Sequence, residues 1–187
     1  AFAGGRGPGR RLRPAAVSRY HKEVTNMSVF FTGRELVDIA IGIERNGAAF
    51  YDSLVDSTKD LMAQGAYKYL ADKEREHIEV FHNMLGSVGE YQPPETHTEE
   101  YALYLKALVD SAVFTDDQVA RAMAQKVSSD AEAIQIALGA EKDSILFYSE
   151  MRDLVLSSDR EVIDKIIAEE KSHLRHLSEF KRKLSMR

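Results

Sequence analysis

Apolar residues recur at steps of three and four from Thr32 to Leu184, which is the period of α-helices that bury one face. Thr32 and Glu35 have the spacing of a capping box, in which the two side chains bond free amides at the start of a helix. This pattern predicts a long first helix from Gly33 to about Met62. Its apolar stripe consists of Leu36, Ile39, Ala40, Ile43, Gly47, Phe50, Tyr51 and Leu54.

The same period predicts three further long helices, over residues 65–85, 130–156 and 159–184. Between the second and third of the four long helices, shorter amphipathic stretches predict two short helices, over residues 99–113 and 116–126. The chain has only 11 Gly and 4 Pro, which argues against a turn-rich β protein. The predicted fold class is therefore all-α, with four long helices and a long connection in the middle.

The third long helix repeats the first. When residues 38–52 are set over residues 135–149, six of the fifteen positions are identical, at an offset of 97. The helix caps repeat in the same register, because Ser129 and Glu132 match Thr32 and Glu35. Amphipathic helices can resemble one another by chance, but a shared cap and shared ligand-type residues favour two copies of one helix pair.

A Glu-x-x-His motif occurs on both the second and the fourth predicted helix. Glu74 and His77 form the first copy, and Glu170 and His173 form the second, at an offset of 96. Residues three apart lie on the same face of a helix, so each pair can chelate one metal ion. A single motif of this kind means little, because charged helices contain it often. Two copies at matching positions indicate a shared site.

Two glutamates lie within the apolar stripes of the first and third helices. Glu44 and Glu141 occupy equivalent positions of the repeat. A carboxylate that faces a core is costly unless it is paired or bound to a metal. The alternative is that both face solvent on irregular helices. Together with the two Glu-x-x-His pairs, they form the ligand set of a carboxylate-bridged dimetal site in a four-helix bundle.

Two tyrosines lie on the same helix faces as these glutamates. Tyr51 and Tyr148 follow Glu44 and Glu141 by seven residues, which is two helical turns. Each is expected either to be a core aromatic residue or to hydrogen-bond a ligand carboxylate on a neighbouring helix.

These residues resemble those of the ferritin-like superfamily, and within it the rubrerythrin-like proteins that lack a rubredoxin domain. The resemblance covers residues 32–184, and its specific parts are the Glu and Phe-Tyr of helices one and three and the Glu-x-x-His of helices two and four. It implies a ferritin-like four-helix bundle. The connection over residues 86–129 is similar to the crossover that lets helices two and three run parallel in that superfamily.

The resemblance also implies a cofactor of two iron ions, with Mn or Zn able to bind in vitro. It implies that Glu44 and Glu141 each bind one ion and that Glu74 and Glu170 bridge both ions. It also implies that His77 and His173 each complete the ligands of one ion.

The sequence departs from rubrerythrins proper at one point. These are expected to carry an additional glutamate on helix three, whereas Leu138 and Ser144 stand three residues on either side of Glu141. The set of four Glu and two His is similar to the bacterioferritin ferroxidase centre, which counts against peroxidase chemistry of the rubrerythrin type. The chain also has no Cys to hold a rubredoxin iron. Electrons are therefore expected from Fe(II) itself or from an external donor such as a rubredoxin-like protein.

The expected function is that of a non-haem di-iron oxidoreductase that oxidises Fe(II) with O2 or H2O2, as a ferroxidase or a peroxide scavenger. Such a role belongs to iron homeostasis or oxidative-stress defence, and the protein is expected to be a homodimer. One alternative is a non-catalytic iron-binding or storage protein, or the cargo of a shell. Another is a helical interaction module with a vestigial metal site.

Charge separates the first residues from the rest of the chain. The net charge is −5, yet residues 1–26 carry six basic residues against one acidic residue. Residues 1–31 are predicted to be a disordered basic tail, and residues 32–187 the bundle. The tail could be sequence added ahead of a native start at Met27, a targeting leader, or a basic arm for nucleic acid or membrane. No apolar run approaches the ~20 residues of a membrane span. We expect a cytoplasmic protein that binds neither nucleic acid nor membrane.

Overall fold

A computed structural model of the chain describes residues 31–88 and 98–186. Within these ranges there are six α-helices and no strand, so the predicted all-α class with four long and two short helices is confirmed. The division between a basic tail and the bundle stays a prediction, because residues 1–30 lie outside the described residues. The helices are α1 (Gly33–Ser57), α2 (Leu61–Val88), α3 (Glu99–Asp110), α4 (Asp117–Lys126), α5 (Asp130–Leu154) and α6 (Arg160–Leu184).

The first helix begins where it was predicted to begin but ends five residues earlier. The predicted capping box of Thr32 and Glu35 is present, whereas α1 ends at Ser57 and α2 already begins at Leu61. The cause lies in Asp60, whose carboxylate accepts hydrogen bonds from the backbone N–H groups of residues 62 and 63 at 2.8 and 3.1 Å. This aspartate caps a new helix, and short polar side chains of this kind compete with continued helical bonding.

Two apolar clusters fill the two ends of the bundle. One contains the C-terminal half of α1, the N-terminal halves of α2 and α5, and the C-terminal half of α6. The other contains the opposite halves of the same four helices. Neighbours α1 and α2 are therefore antiparallel, and so are α5 and α6, whereas α2 and α5 run parallel. A parallel pair requires the connection to travel the length of the bundle.

The connection makes this passage along one side of the bundle. Leu105 of α3 packs into one apolar cluster, and Ala120 and Ala124 of α4 pack into the other. Two residues at equivalent positions of the repeat bind the backbone of the segment between α3 and α4. Asn46 donates a hydrogen bond to the carbonyl of Phe114 at 3.2 Å, and the N–H of residue 113 donates to Asp143 at 2.8 Å. These two bonds fix the connection against α1 and α5.

Among the described residues, no helix is both long enough and apolar enough to cross a membrane.

Candidate metal centre

All six candidate ligands meet between the two apolar clusters, midway along the bundle. Each of the four long helices contributes to the group, and every member is at most 5% exposed. The alternative that the single glutamates face solvent is therefore wrong for this fold. The ligands are Glu44 from α1, Glu74 and His77 from α2, Glu141 from α5, and Glu170 and His173 from α6.

The six residues form two overlapping groups of four. Within each group, one ligand atom from every member lies within 4.8 Å of the others. Glu74 and Glu170 belong to both groups, so they occupy the positions from which a carboxylate reaches two ions. The first group is completed by Glu44 and His77, and the second by Glu141 and His173.

Glu170 illustrates the shared position most directly. Its Oε1 lies 2.8 Å from Nδ1 of His77, and its Oε2 lies 3.1 Å from Nδ1 of His173. Each histidine nitrogen also faces the single glutamate of its own group: Nδ1 of His77 is 3.5 Å from Glu44, and Nδ1 of His173 is 3.7 Å from Glu141. Both imidazoles therefore direct the same ring nitrogen towards the carboxylates.

Three buried atoms of this cluster have no hydrogen-bond partner. They are Nδ1 of His77, Oε2 of Glu141 and Oε1 of Glu170. The first and third are close to each other, but they are not aligned for a hydrogen bond. Buried polar atoms without partners are rare and costly, and a cation among them would satisfy all three. The residues present thus fit a metal-binding role.

The comparison with known families agrees with this geometry. The family model described as rubrerythrin matches residues 35–181, which is most of the chain. The chain belongs to the rubrerythrin family. Among solved structures, it is similar to a ferritin-like diiron-carboxylate protein from Thermotoga maritima, with 29% identity and a TM-score of 0.59, over 82% of this chain and 96% of that one. No curated protein matches the chain.

The pKa values of the ligand carboxyl groups describe how this cluster is charged when no metal is bound. Burial, followed by the charges of Glu44 and Glu170, raises the pKa of Glu74 well above its usual value. Burial also raises the pKa of Glu141, to about 8, although its contact with His173 opposes the shift. For Glu170, contacts with the two histidines outweigh burial and lower the pKa. The carboxyl groups therefore share protons instead of all being ionised.

The histidines hold the balancing charge. Burial disfavours protonation of His77, but contacts with Glu170 and Glu44 outweigh it and raise its pKa to about 11. Burial also disfavours protonation of His173, but contacts with Glu141 and Glu170 outweigh it and raise the pKa of His173 to about 9. Without metal, both imidazoles are therefore charged at neutral pH. A metal ion must displace these protons, because only neutral imidazole binds metal.

The two tyrosines hydrogen-bond ligand carboxylates across the bundle. Tyr51 on α1 donates to Glu141 on α5 at 2.6 Å, and Tyr148 on α5 donates to Glu44 on α1 at 2.5 Å. Burial, followed by nearby glutamate charges, raises the pKa of both phenols well above the usual value. Both hydroxyls therefore remain donors, and each fixes one carboxylate oxygen while leaving the other free.

Replacing either tyrosine with phenylalanine is expected to weaken metal binding by ~10-fold, in line with the usual effect of removing a partner that orients a ligand. Tyr51→Phe and Tyr148→Phe should have similar effects, because the two bonds are equivalent in the repeat. Mn(II) affinity, measured by competition with a chelator, checks this. Tyr67→Phe is the matched control, because Tyr67 is also buried but donates to Asp130, outside the cluster. Equal losses in all three variants would contradict the assignment.

One contact of the cluster was not predicted from the sequence. The side chain of Glu169 is half-exposed, yet its Oε2 lies 3.3 Å from Nε2 of His77. The equivalent position of the first copy is Lys73, which pairs with Glu76 on the surface. The two halves of the site therefore differ outside the ligands. The only sequence signal was an acid in one copy where the other copy has a base.

Gly47 leaves room for a shared ligand. A Cβ added there would lie 3.2 Å from Cδ and 3.3 Å from Oε1 of Glu74, which is tighter than ordinary contact. Gly42, on the same helix, has no atom within 4 Å of such a Cβ. The requirement for a small residue is therefore at Gly47.

Gly47→Ala is expected to shift Glu74 and to weaken Mn(II) binding by ~10-fold, the scale of a displaced ligand support. Gly42→Ala is the control on the same helix: it should leave Mn(II) affinity unchanged and raise stability by up to ~1 kcal/mol through helix propensity. Chelator competition and thermal melting measure the two effects. If Gly47→Ala binds metal as tightly as Gly42→Ala, then Glu74 does not need its present position.

Proposed function

We propose that this protein is a non-haem di-iron oxidoreductase that oxidises Fe(II) with O2 or H2O2. The observation that carries the proposal is the pair of buried four-ligand groups that share Glu74 and Glu170. A shared pair of carboxylates brings two ions close together, which is the arrangement that two-electron chemistry requires. Membership of the rubrerythrin family and the similarity to a diiron-carboxylate protein support it.

The proposed assignment gives each ion three ligands from one half of the chain. Glu44 and His77 would hold one ion, Glu141 and His173 would hold the other, and the shared glutamates would bridge them. Carboxylate and imidazole ligands suit iron and manganese, whereas zinc binds such ligands without redox chemistry. The negative charges of four carboxylates balance the positive charges of two divalent cations. The buried site would therefore be neutral when it is filled.

With two ferrous ions held by these residues, the centre would supply two electrons, one per ion, which together with two protons from solvent would reduce O2 to H2O2 or H2O2 to two water molecules. The chain's own residues control the surroundings of this step. The apolar clusters above and below the ligands close the site along the axis of the bundle. Tyr51 and Tyr148 keep the single glutamates oriented, because each donates a short hydrogen bond to one of their oxygens.

The source of further electrons is outside this chain. No cysteine is present to bind a rubredoxin-type iron. We propose that electrons come from Fe(II) as substrate or from an external donor such as a rubredoxin-like protein. Either role would serve iron homeostasis or defence against oxidative stress.

The test is to load the metal-free protein anaerobically with Fe(II) and mix it with O2 or H2O2 in a stopped-flow spectrometer. We expect two ions per chain by elemental analysis and oxidation much faster than that of free Fe(II) with at least one oxidant. The preferred oxidant distinguishes a ferroxidase from a peroxide scavenger. One ion or none per chain would refute the site, and many ions per chain would favour storage. The Glu44→Gln and Glu141→Gln double variant is the control that should show neither binding nor oxidation.

A further inference from the structure

A cavity of about 200 Å³ lies between α1, α5 and the connection, and it opens onto the candidate metal centre. At its inner end it is lined by Tyr51, Glu74 and Glu141. At its outer end it is lined by Thr115, which is exposed. The cavity therefore runs from the protein surface to a shared ligand and a single ligand of the site.

Most of the cavity wall is apolar. Ile39 and Ile43 of α1 face Leu108 and Val109 of α3, and Phe147 of α5 contributes an aromatic surface. A route that served only water or a small polar oxidant would not need such a wall. The ligand carboxylates of Glu74 and Glu141 lie at the inner end, as in a pocket that places one reactive group of an apolar molecule.

Small residues create the space next to the ligands. Gly47 and Ser144 occupy equivalent positions of the repeat, and both line the cavity. Gly42 also lines it, with no atom within 4 Å of where a Cβ would lie. Any larger side chain at these three positions would fill part of the space.

The size of the cavity exceeds what O2 or H2O2 requires. One water molecule occupies ~30 Å³ in the liquid, and an apolar cavity of ~150 Å³ is large enough to bind benzene. A cavity of about 200 Å³ therefore fits a phenyl or short branched alkyl group together with a small polar group. The polar group would lie at Glu74 and Glu141, because the other polar side chains near the site, those of Asn46, Asp143 and Ser144, already hydrogen-bond backbone groups.

We propose that this cavity binds organic hydroperoxides, with the alkyl or aryl group against the apolar wall and the O–O group at the glutamates. In the reaction the O–O bond breaks, and the hydroperoxide takes up two electrons, one from each Fe(II), and two protons from solvent. The products are one alcohol, one water and two Fe(III), so atoms and electrons balance. This inference rests on the proposed function, because it names a substrate class for the same centre.

The first test compares cumene hydroperoxide with H2O2 as oxidants of the Fe(II)-loaded protein. Gly42→Leu fills the cavity, and we expect it to lower kcat/KM for cumene hydroperoxide at least tenfold while changing that for H2O2 less than threefold. Gly65→Leu is the matched control, since Gly65 is an exposed helical glycine with equally open surroundings and does not line the cavity. It should change neither value. If Gly42→Leu does not fold, Val109→Phe fills the cavity from the opposite wall.

The second test needs no turnover. The Zn(II)-loaded protein is titrated with 2-phenyl-2-propanol, the redox-inert alcohol product, by calorimetry and methyl NMR. We expect saturable binding that shifts the methyl signals of Ile39, Ile43 and Val109, and that is lost in Gly42→Leu but kept in Gly65→Leu.

The outcomes separate the two proposals. The inference would be overturned, and the proposed function left intact, by three results together. H2O2 would oxidise the Fe(II)-loaded protein rapidly, cumene hydroperoxide would oxidise it no faster than free Fe(II), and the alcohol would not bind. An equal loss for both oxidants in Gly42→Leu would show that the cavity is only an entrance. Oxidation by neither oxidant, with fewer than two ions bound, would overturn the proposed function itself.

Discussion

Replacing Glu74 or Glu170 with alanine is expected to lower the Fe(II) oxidation rate by ~100-fold or more. Loss of a residue that only orients a ligand typically lowers activity by ~10- to 100-fold, and loss of the ligand itself should lower it further. Each of these glutamates belongs to both four-residue groups, so its loss affects both ions. Stopped-flow oxidation and elemental analysis of the same samples measure the rate and the number of bound ions.

Glu44→Ala should be less damaging, because Glu44 belongs to one group only. We expect it to retain part of the metal, including an ion held by the other group. Glu76→Ala is the matched control on α2, because Glu76 is exposed and pairs with Lys73 instead of facing the site. If Glu44→Ala loses as much activity as Glu74→Ala, the shared position of Glu74 does not correspond to a bridging role.

Metal should raise the melting temperature of this protein, and the rise should grow with pH. A ligand that binds only the folded state adds ~2.7 kcal/mol at a hundredfold excess over Kd, which corresponds to a shift of ~5–10 °C for a chain of this size. Mn(II) is suited to the measurement because air oxidises it far more slowly than Fe(II), and scans under argon prevent its oxidation at pH 9. Calorimetric scans at pH 6, 7.5 and 9 with and without Mn(II) provide the test.

The pH dependence follows from the metal-free cluster. The pKa of Glu141 is raised from 4.5 to about 8, so the folded state holds this proton more tightly and the free energy of unfolding falls as pH rises through that range. The pKa values of His173 and His77 are raised from 6.5 to about 9 and about 11, so their stabilisation is complete below 6.5 and is lost as pH rises through these values. The pKa of Glu170 is lowered, so its stabilising contribution is complete above the usual pKa of a glutamate and is lost only as pH falls below that value.

These effects make the metal-free protein most stable near pH 5, while metal binding improves as the ligands lose protons. The cost of holding the proton of Glu141 begins above pH 4.5 and is complete above pH 8. Glu141→Gln should therefore raise the metal-free melting temperature at pH 6 and raise it more at pH 9, while reducing the Mn(II)-dependent rise at both. Glu150→Gln is a control, because Glu150 accepts its hydrogen bonds from Tyr101 and Tyr104, away from the cluster. A metal-dependent rise that does not vary with pH would contradict the proton-sharing cluster.

The sequence was sufficient to predict which ligand residues meet, because each ligand belongs to a local pattern with a physical meaning. Glu74 and His77 are three residues apart on one helix face, and Glu44 interrupts an apolar stripe that must face the core. The same helical register placed Tyr51 and Tyr148 on the ligand faces, but it left open whether they would bond a ligand carboxylate, as both do. These patterns involve only residues within two helical turns of one another, so a single sequence is enough to recognise them.

Features that depend on contacts between distant segments could not be predicted in this way. Helix α1 ends early because Asp60 caps a new helix, and the same residue types also occur in uninterrupted helices. Asn46 and Asp143 bind the backbone near Phe114 only because the connection crosses the bundle at that height. The cavity next to the centre likewise depends on where α3 packs, which no local pattern specifies.

The shared glutamates have a consequence for the duplicated architecture. Each half of the chain supplies three members of one four-residue group and takes the fourth from the other half: Glu170 completes the first group and Glu74 completes the second. Neither half can assemble a complete group alone, so an ion bound by either group would link the two halves of the chain. Residues 31–88 and 98–186 produced as separate polypeptides should therefore associate much more tightly with Mn(II) than without it. Glu74→Ala in the first polypeptide should reduce that difference, and combining it with Glu170→Ala in the second should abolish it.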